Sequence, residues 1–142
     1  MLDVPDPPLG EGRYHRPGGS PTWYGSSSES GAWAEFRHNP AAGVDVAQSR
    51  RRLGRATFDV TALDLTDPAA LTALGVTTRD LTSRDRSVCQ ELAQIAVAAG
   101  FDAVLGPSAA SSGDETLAVF GSAIRKKSRD VQDKGVRTPP PS

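Results

Sequence analysis

One short segment of the chain has little conformational choice. Asp67 can serve as an N-cap, Pro68 takes the first helical position, where its missing N–H costs nothing, and Gly75 closes the apolar run AALTAL. Residues 68–74 are therefore predicted to form one short helix with both ends marked. A longer helix follows over about residues 84–99. There Val88, Leu92, Ile95 and Ala99 form a stripe at i, i+4, i+7 and i+11, with Thr82 or Ser83 as cap and Gly100 as stop. Residues 101–105 (FDAVL) then read as a buried strand halted by Gly106-Pro107, residues 111–114 (SSGD) as a turn, and residues 115–120 (ETLAVF) as the last strand.

The N-terminal half repeats this alternation. Residues 22–26 (TWYGS) have strand-forming residues after the turn-rich PGGSP. Ser26 and Glu29 have capping-box spacing, which predicts a helix over residues 29–36 with Ala32, Trp33 and Phe36 on one face. Trp33 and Phe36 are expected in the core. A turn is expected at residues 40–43, and a strand at residues 56–60 that residues 62–65 extend. Four or five strands with two or three helices give a small α+β domain, a mixed sheet flanked by helices. Residues 1–11 read as an irregular arm and residues 12–124 as the domain. Residues 125–142 have only Val131 and Val136 as aliphatic side chains and are expected to be a disordered tail.

Several function classes fall away on composition. The 142 residues carry 16 Lys+Arg against 17 Asp+Glu, a net charge of −1, which argues against direct nucleic-acid binding. The single Cys89, read as a buried inert thiol, excludes an intramolecular disulfide and a cysteine-rich zinc site. His15 and His38 have no metal-ligand spacing, so no metal is expected. No apolar run approaches the roughly 18 residues of a membrane span, and residues 1–13 lack a signal-peptide h-region. The expected location is cytoplasmic, without membrane contact.

Familiar catalytic signatures are also missing. His15 stands where a GxGxxG begun at Gly10 would need its last glycine, and there is no Walker A loop. Gly106-Pro107-Ser108 resembles a nucleophile elbow, yet no histidine follows Ser108. What stands out is the density of polar and aromatic groups in residues 12–36, arranged as turn, strand and helix. The run Arg50-Arg51-Arg52 with Arg55 reads as a solvated loop, and His15 as a solvated loop histidine.

That stretch resembles the RES domain, the toxin component of RES–Xre type II toxin–antitoxin systems. The resemblance is carried by Gly12-Arg13-Tyr14-His15, Thr22-Trp23-Tyr24, Ser28-Glu29 and Ala34-Glu35-Phe36. Downstream it continues through Leu65-Thr66-Asp67-Pro68, Leu74-Gly75-Val76, the run from Ala99 to Val104, Pro107-Ser108-Ala109 and the run from Thr116 to Phe120. It covers about residues 12–121. Each motif is weak alone, and their order and spacing carry the match.

The resemblance implies a fold similar to ADP-ribosyltransferase toxins and cleavage of the nicotinamide–ribose bond of NAD+, the substrate, by water or phosphate. It also implies an Xre-like helix-turn-helix antitoxin as partner, with a homodimer as part of the assembly. Carried over residue by residue, it makes Glu35 the carboxylate that stabilises a ribosyl cation, Arg13 the pyrophosphate cation, and Tyr24 the nicotinamide–ribose contact. Ser108 would position substrate or Glu35. On the residues alone, Glu35 is equally a solvent-facing helix residue, and either Tyr24 or Trp23 faces the core. Glu29 is explained as a cap, and Arg16 is a substitute for Arg13.

RES domains usually open with a strand bearing an apolar-Trp-Arg motif, and their aromatic after Arg13 is commonly Trp rather than Tyr14. Only 11 residues precede Gly12 and they contain no such strand. The chain is accordingly expected to be a short or truncated variant. Two alternatives stand beside NAD+ degradation: an inactive fragment that binds an antitoxin, and a protein mono-ADP-ribosyltransferase.

Overall fold

The computed structural model describes residues 2–38 and 50–140, so the turn expected at residues 40–43 lies outside the described residues. The elements in order are β1 (Thr22–Ser26), α1 (Glu29–His38), β2 (Arg51–Phe58), β3 (Ala62–Asp64), α2 (Pro68–Leu74) and α3 (Thr78–Thr82). Then come α4 (Ser87–Ala98), β4 (Ala103–Pro107), β5 (Glu115–Phe120), α5 (Ala123–Lys126) and β6 (Ser128–Arg137). The four-stranded sheet has the order β1-β5-β4-β3. β5 pairs antiparallel with β1 and β4, and β3 joins β4 in parallel after the α2–α4 crossover. The α+β expectation holds.

Period-two alternation gives the sheet two apolar faces. Val104, Ala118 and Phe120 meet Tyr14, Leu65, Leu81, Cys89, Leu92, Ala93 and Ala96 on one side. Ala103 and Val119 meet Ala123 and Ile124 on the other, where Trp23, Phe58, Leu2 and Val4 pack around them. The N-terminal arm has no regular structure, but Leu2 and Val4 fasten it to this second cluster.

Local chemistry explains the helix ends. The Asp67 side chain accepts from the Ala69 N–H, Pro68 opens α2, and Gly75 at φ 71° closes it. Thr77 and Asp80 form a reciprocal capping box on α3, a helix the sequence reading did not anticipate. α4 begins at Ser87 rather than near residue 84. Its expected cap Ser83 instead accepts from the Asp85 N–H, and Asp85 accepts from the Ser87 N–H.

The inward stripe of α4 is also shifted. Cys89, Leu92, Ala93 and Ala96 are buried, whereas Ile95 is 48% exposed. Small side chains let this face lie close on the sheet, so size and not only apolarity decides which residues turn inward. The α1 cap is corrected too. Ser28, not Ser26, accepts from the Gly31 N–H, and the buried Ser26 Oγ has no hydrogen-bond partner among the described residues. Phe36 is only half-buried, lying under the Arg51 guanidinium at 4.6 Å and edge-on to the buried Trp33.

The largest correction concerns the tail. Residues 128–137, expected to be disordered, form β6 and pair antiparallel with β2, which carries Arg51, Arg52 and Arg55. The expected arginine loop is therefore largely strand. Backbone hydrogen bonding orders both segments, a term that side-chain apolarity does not report. The ribbon is fastened at both ends. Phe58 stacks on Trp23 with centroids 4.7 Å apart, and Arg137 pairs with Glu29 at 3.4 Å. Beyond it, the Pro140 carbonyl accepts from Arg37 of α1.

Candidate active site

A cleft runs between α1, β1 and the β2–β6 ribbon, and Arg13, Tyr24, Glu35 and Thr116 are among the residues that line it. Strand register places two of these on one face. Tyr24 pairs with Ala118, two residues beyond Thr116 on β5, so Tyr24 and Thr116 project from the same side of the sheet. Trp23 takes the opposite side, among the second apolar cluster.

Glu35 sits in the second turn of α1, half-buried. Its Oε1 accepts from Ser108 Oγ at 2.9 Å and lies 3.5 Å from Thr116 Oγ1. Ser108 is itself buried at the end of β4. Its Oγ also accepts from the Ala110 and Ser111 N–H groups, at 3.2 and 3.1 Å. With two amides donating into it, the hydroxyl has one proton to give, and it goes to Glu35. Ser108 thus lies behind Glu35.

Tyr24 is held by its hydroxyl. Oη accepts from the Tyr14 N–H at 2.9 Å and lies 2.6 Å from His15 Nδ1. Burial lowers the His15 pKa, and its Nδ1 shares a short hydrogen bond with the Tyr24 hydroxyl. Burial also raises the Tyr24 pKa, which keeps the phenol protonated. The hydroxyl is fully occupied, and Tyr24 presents ring surface to the cleft. His15, expected in solvent, is a partner of Tyr24. The tight Gly12–His15 turn brings it there, and a side chain at position 12 would collide with the His15 ring and the Tyr24 hydroxyl.

Arg13 is anchored to backbone carbonyls. Its Nη1 donates to the carbonyls of Leu81 and Ser83, at 3.1 and 2.7 Å, and so ties the Gly12–His15 turn to the end of α3. Cys89 is fully buried, donates to the Leu81 carbonyl, and has its pKa raised by burial. The four expected residues fall into two groups: Glu35 with Ser108, and Tyr24 with the turn that bears Arg13.

Sequence reasoning missed Thr116, the His15–Tyr24 bond, and the Gln90 side chain. The last is buried on α4 and donates to the Gly12 carbonyl. Among the described residues no group of three or more His, Cys, Asp or Glu side chains is placed to hold a metal ion. No described helix is long and apolar enough to cross a membrane.

The chain as a whole is similar to known proteins. The family model of the RES domain matches residues 2–139. A protein of Mycobacterium tuberculosis called probable NAD(+) phosphorylase is 47% identical over 137 residues. The alignment takes in 96% of this chain and 65% of that protein, so the chain spans just under two thirds of the relative's length. A chain in the crystal structure of the M. tuberculosis MbcT–MbcA toxin–antitoxin complex superposes with a TM-score of 0.70 at 27% identity. That superposition covers 89% of this chain and 70% of the other.

Proposed function

Because the chain belongs to the RES domain family, we propose that it consumes NAD+ by breaking the bond between nicotinamide and ribose. The observation that carries this reading is the half-buried Glu35 at the cleft, its Oε1 fixed by Ser108. The similarity to a probable NAD(+) phosphorylase supports the same reading.

In this mechanism the C1″–N bond breaks with its electron pair leaving on nicotinamide, which departs neutral. The ribosyl cation left behind is stabilised by the nearby Glu35 carboxylate, in the manner of other glycosidic cleavages. Anchoring Oε1 through Ser108 costs the carboxylate its rotational freedom before substrate arrives, so no ordering is needed at the transition state. Tyr24, its hydroxyl already committed, offers a ring face for stacking on nicotinamide. Arg13, held in place through Nη1, lines the cleft as the guanidinium for the pyrophosphate. Phosphate oxygen then attacks C1″ to give ADP-ribose 1″-phosphate, or water attacks to give ADP-ribose and a proton.

The proposed partner is an antitoxin that covers the cleft, a reading supported by the likeness to a chain of a toxin–antitoxin complex. Its helix-turn-helix, Xre-like character and a homodimer of this chain within the assembly belong to the same proposal. The test is NAD+ incubated with the protein, with and without phosphate, and the products separated by chromatography. Nicotinamide together with ADP-ribose 1″-phosphate is the expected result in phosphate. Intact NAD+ under both conditions overturns the reading.

A further inference from the structure

The bond between Ser108 and Glu35 joins parts of the chain far apart in sequence, and something must hold those parts in register. Asp114 stands at their junction. Its Oδ1 accepts from Ser27 Oγ at 2.9 Å and from Ser28 Oγ at 2.7 Å, and its Oδ2 accepts from Ser111 Oγ at 2.7 Å. Its backbone joins in as well, the carbonyl accepting from the Ser108 N–H and the amide donating to the Ser111 carbonyl. The neighbouring Glu115 exchanges two bonds with Ser27, its N–H donating to Ser27 Oγ and its carbonyl accepting from the Ser27 N–H.

One carboxylate therefore ties the start of α1 to the turn that carries Ser108. Ser28 caps α1 through the Gly31 N–H, and Glu35 lies seven residues on. Seven residues are close to two helical turns, so Ser28 and Glu35 share one side of α1. Fixing Ser28 fixes the rotation of the helix about its axis, and with it the direction of Glu35. Gly31 lies between them on that side, and a Cβ there would come to 3.0 Å from the Asp114 carboxylate and 2.2 Å from Ser26 Oγ. The close approach leaves α1 no slack.

We infer that Asp114 is a positioning residue for the cleft chemistry: it clasps α1 to the Ser108 turn so that Ser108 meets Glu35. The inference rests on the reading of Glu35 as the carboxylate at the reacting ribose. A carboxylate suits the role because both oxygens accept, and three hydroxyls need acceptors at once. Asparagine keeps one such oxygen, so it retains part of the clasp, and alanine keeps none.

The test combines hydrogen exchange with turnover in Asp114→Ala and Asp114→Asn, each made alone and with Ser108→Ala. Exchange at the Ala110 and Ser111 amides is expected to accelerate roughly tenfold in Asp114→Ala. Nicotinamide release is expected to lose roughly tenfold or more in kcat with KM within about threefold, and Asp114→Asn to fall between that variant and the parent. On the Ser108→Ala background the further loss is expected to be under about threefold, because both changes break one unit.

A kcat within about twofold of the parent in both Asp114 variants overturns the inference, as does a loss that multiplies in full with that of Ser108→Ala. If Asp114→Ala does not fold, Asp114→Asn carries the same comparison. If the parent protein releases no nicotinamide, the NAD+ reading fails and exchange alone decides. Faster exchange at residues 110 and 111 then supports the clasp, and unchanged exchange overturns it.

Discussion

Ser108 Oγ donates its proton to Glu35 Oε1 across 2.9 Å, joining residues 73 positions apart. The Ala110 and Ser111 amides occupy the acceptor side of the same hydroxyl and hold it in that orientation. A carboxylate on a helix is thereby aimed by a buried hydroxyl at a strand end.

Replacing Ser108 by alanine removes that donor and also strands two backbone amides. Activity on NAD+ is expected to fall by roughly a factor of ten or more, mostly in kcat. Stability is expected to drop by about 1–3 kcal/mol, the typical cost of losing a partner for buried polar groups. Steady-state kinetics and a denaturant titration check the two effects separately. A variant with parental kcat would show that Glu35 needs no such aim.

The pH dependence of His15 has a definite sign. Burial depresses its pKa below the ordinary 6.5, with Arg86 adding to the effect. A depressed pKa means the unfolded chain takes the proton first. The contribution of His15 is therefore complete above about pH 6.5 and is lost as pH falls through the lower folded-state value. Proton NMR of the His15 ring is expected to give a midpoint below 6.5. The difference in melting temperature between the parent and His15→Gln is expected to narrow on acidification. A midpoint at or above 6.5 contradicts the burial of the His15 ring.

Leu81 is fully buried on α3, and its carbonyl takes bonds from both Arg13 and Cys89. Leu81→Ala is expected to cost about 2–5 kcal/mol, the range for emptying a close-packed aliphatic site. Equilibrium denaturation measures it. Cys89 in the same cluster is expected to react with a thiol reagent only on unfolding, and rapid labelling of the native protein would contradict the buried placement.

Gly106 on β4 leaves room for the Tyr14 ring. A Cβ at that position would lie 2.2 Å from Tyr14 Oη. Gly106→Ala is expected to destabilise by about 1–3 kcal/mol through overpacking. Adding Tyr14→Phe removes the oxygen in conflict and is expected to recover part of the loss. Additive destabilisation in the double variant would place the clash elsewhere.

Legibility in the sequence followed the range of the interactions. The helix between Asp67 and Gly75 was readable because its cap, its first-turn proline and its left-handed stop are all local. β1, β4 and β5 were readable in large part because their residues alternate against two apolar clusters. β6 was not, because its order comes from pairing with β2, which lies far off in the chain and leaves no apolar trace. The inward face of α4 was misjudged by favouring bulky residues such as Ile95 over Cys89, Ala93 and Ala96. At the site, the resemblance to RES domains pointed to Glu35 and Ser108, but the bond between them depends on how α1 lies beside the β4–β5 turn. Asp114, which makes that junction, looked like part of an ordinary turn.

The proposed chemistry depends most directly on Glu35. The decisive measurement is nicotinamide released from NAD+ in phosphate by the parent protein and by Glu35→Gln, side by side. Glutamine preserves the shape and the oxygen that Ser108 meets, while removing the charge proposed to stabilise the ribosyl cation. Release by the parent and a loss of roughly a hundredfold or more in Glu35→Gln is the predicted result. Equal release by both proteins would contradict the account.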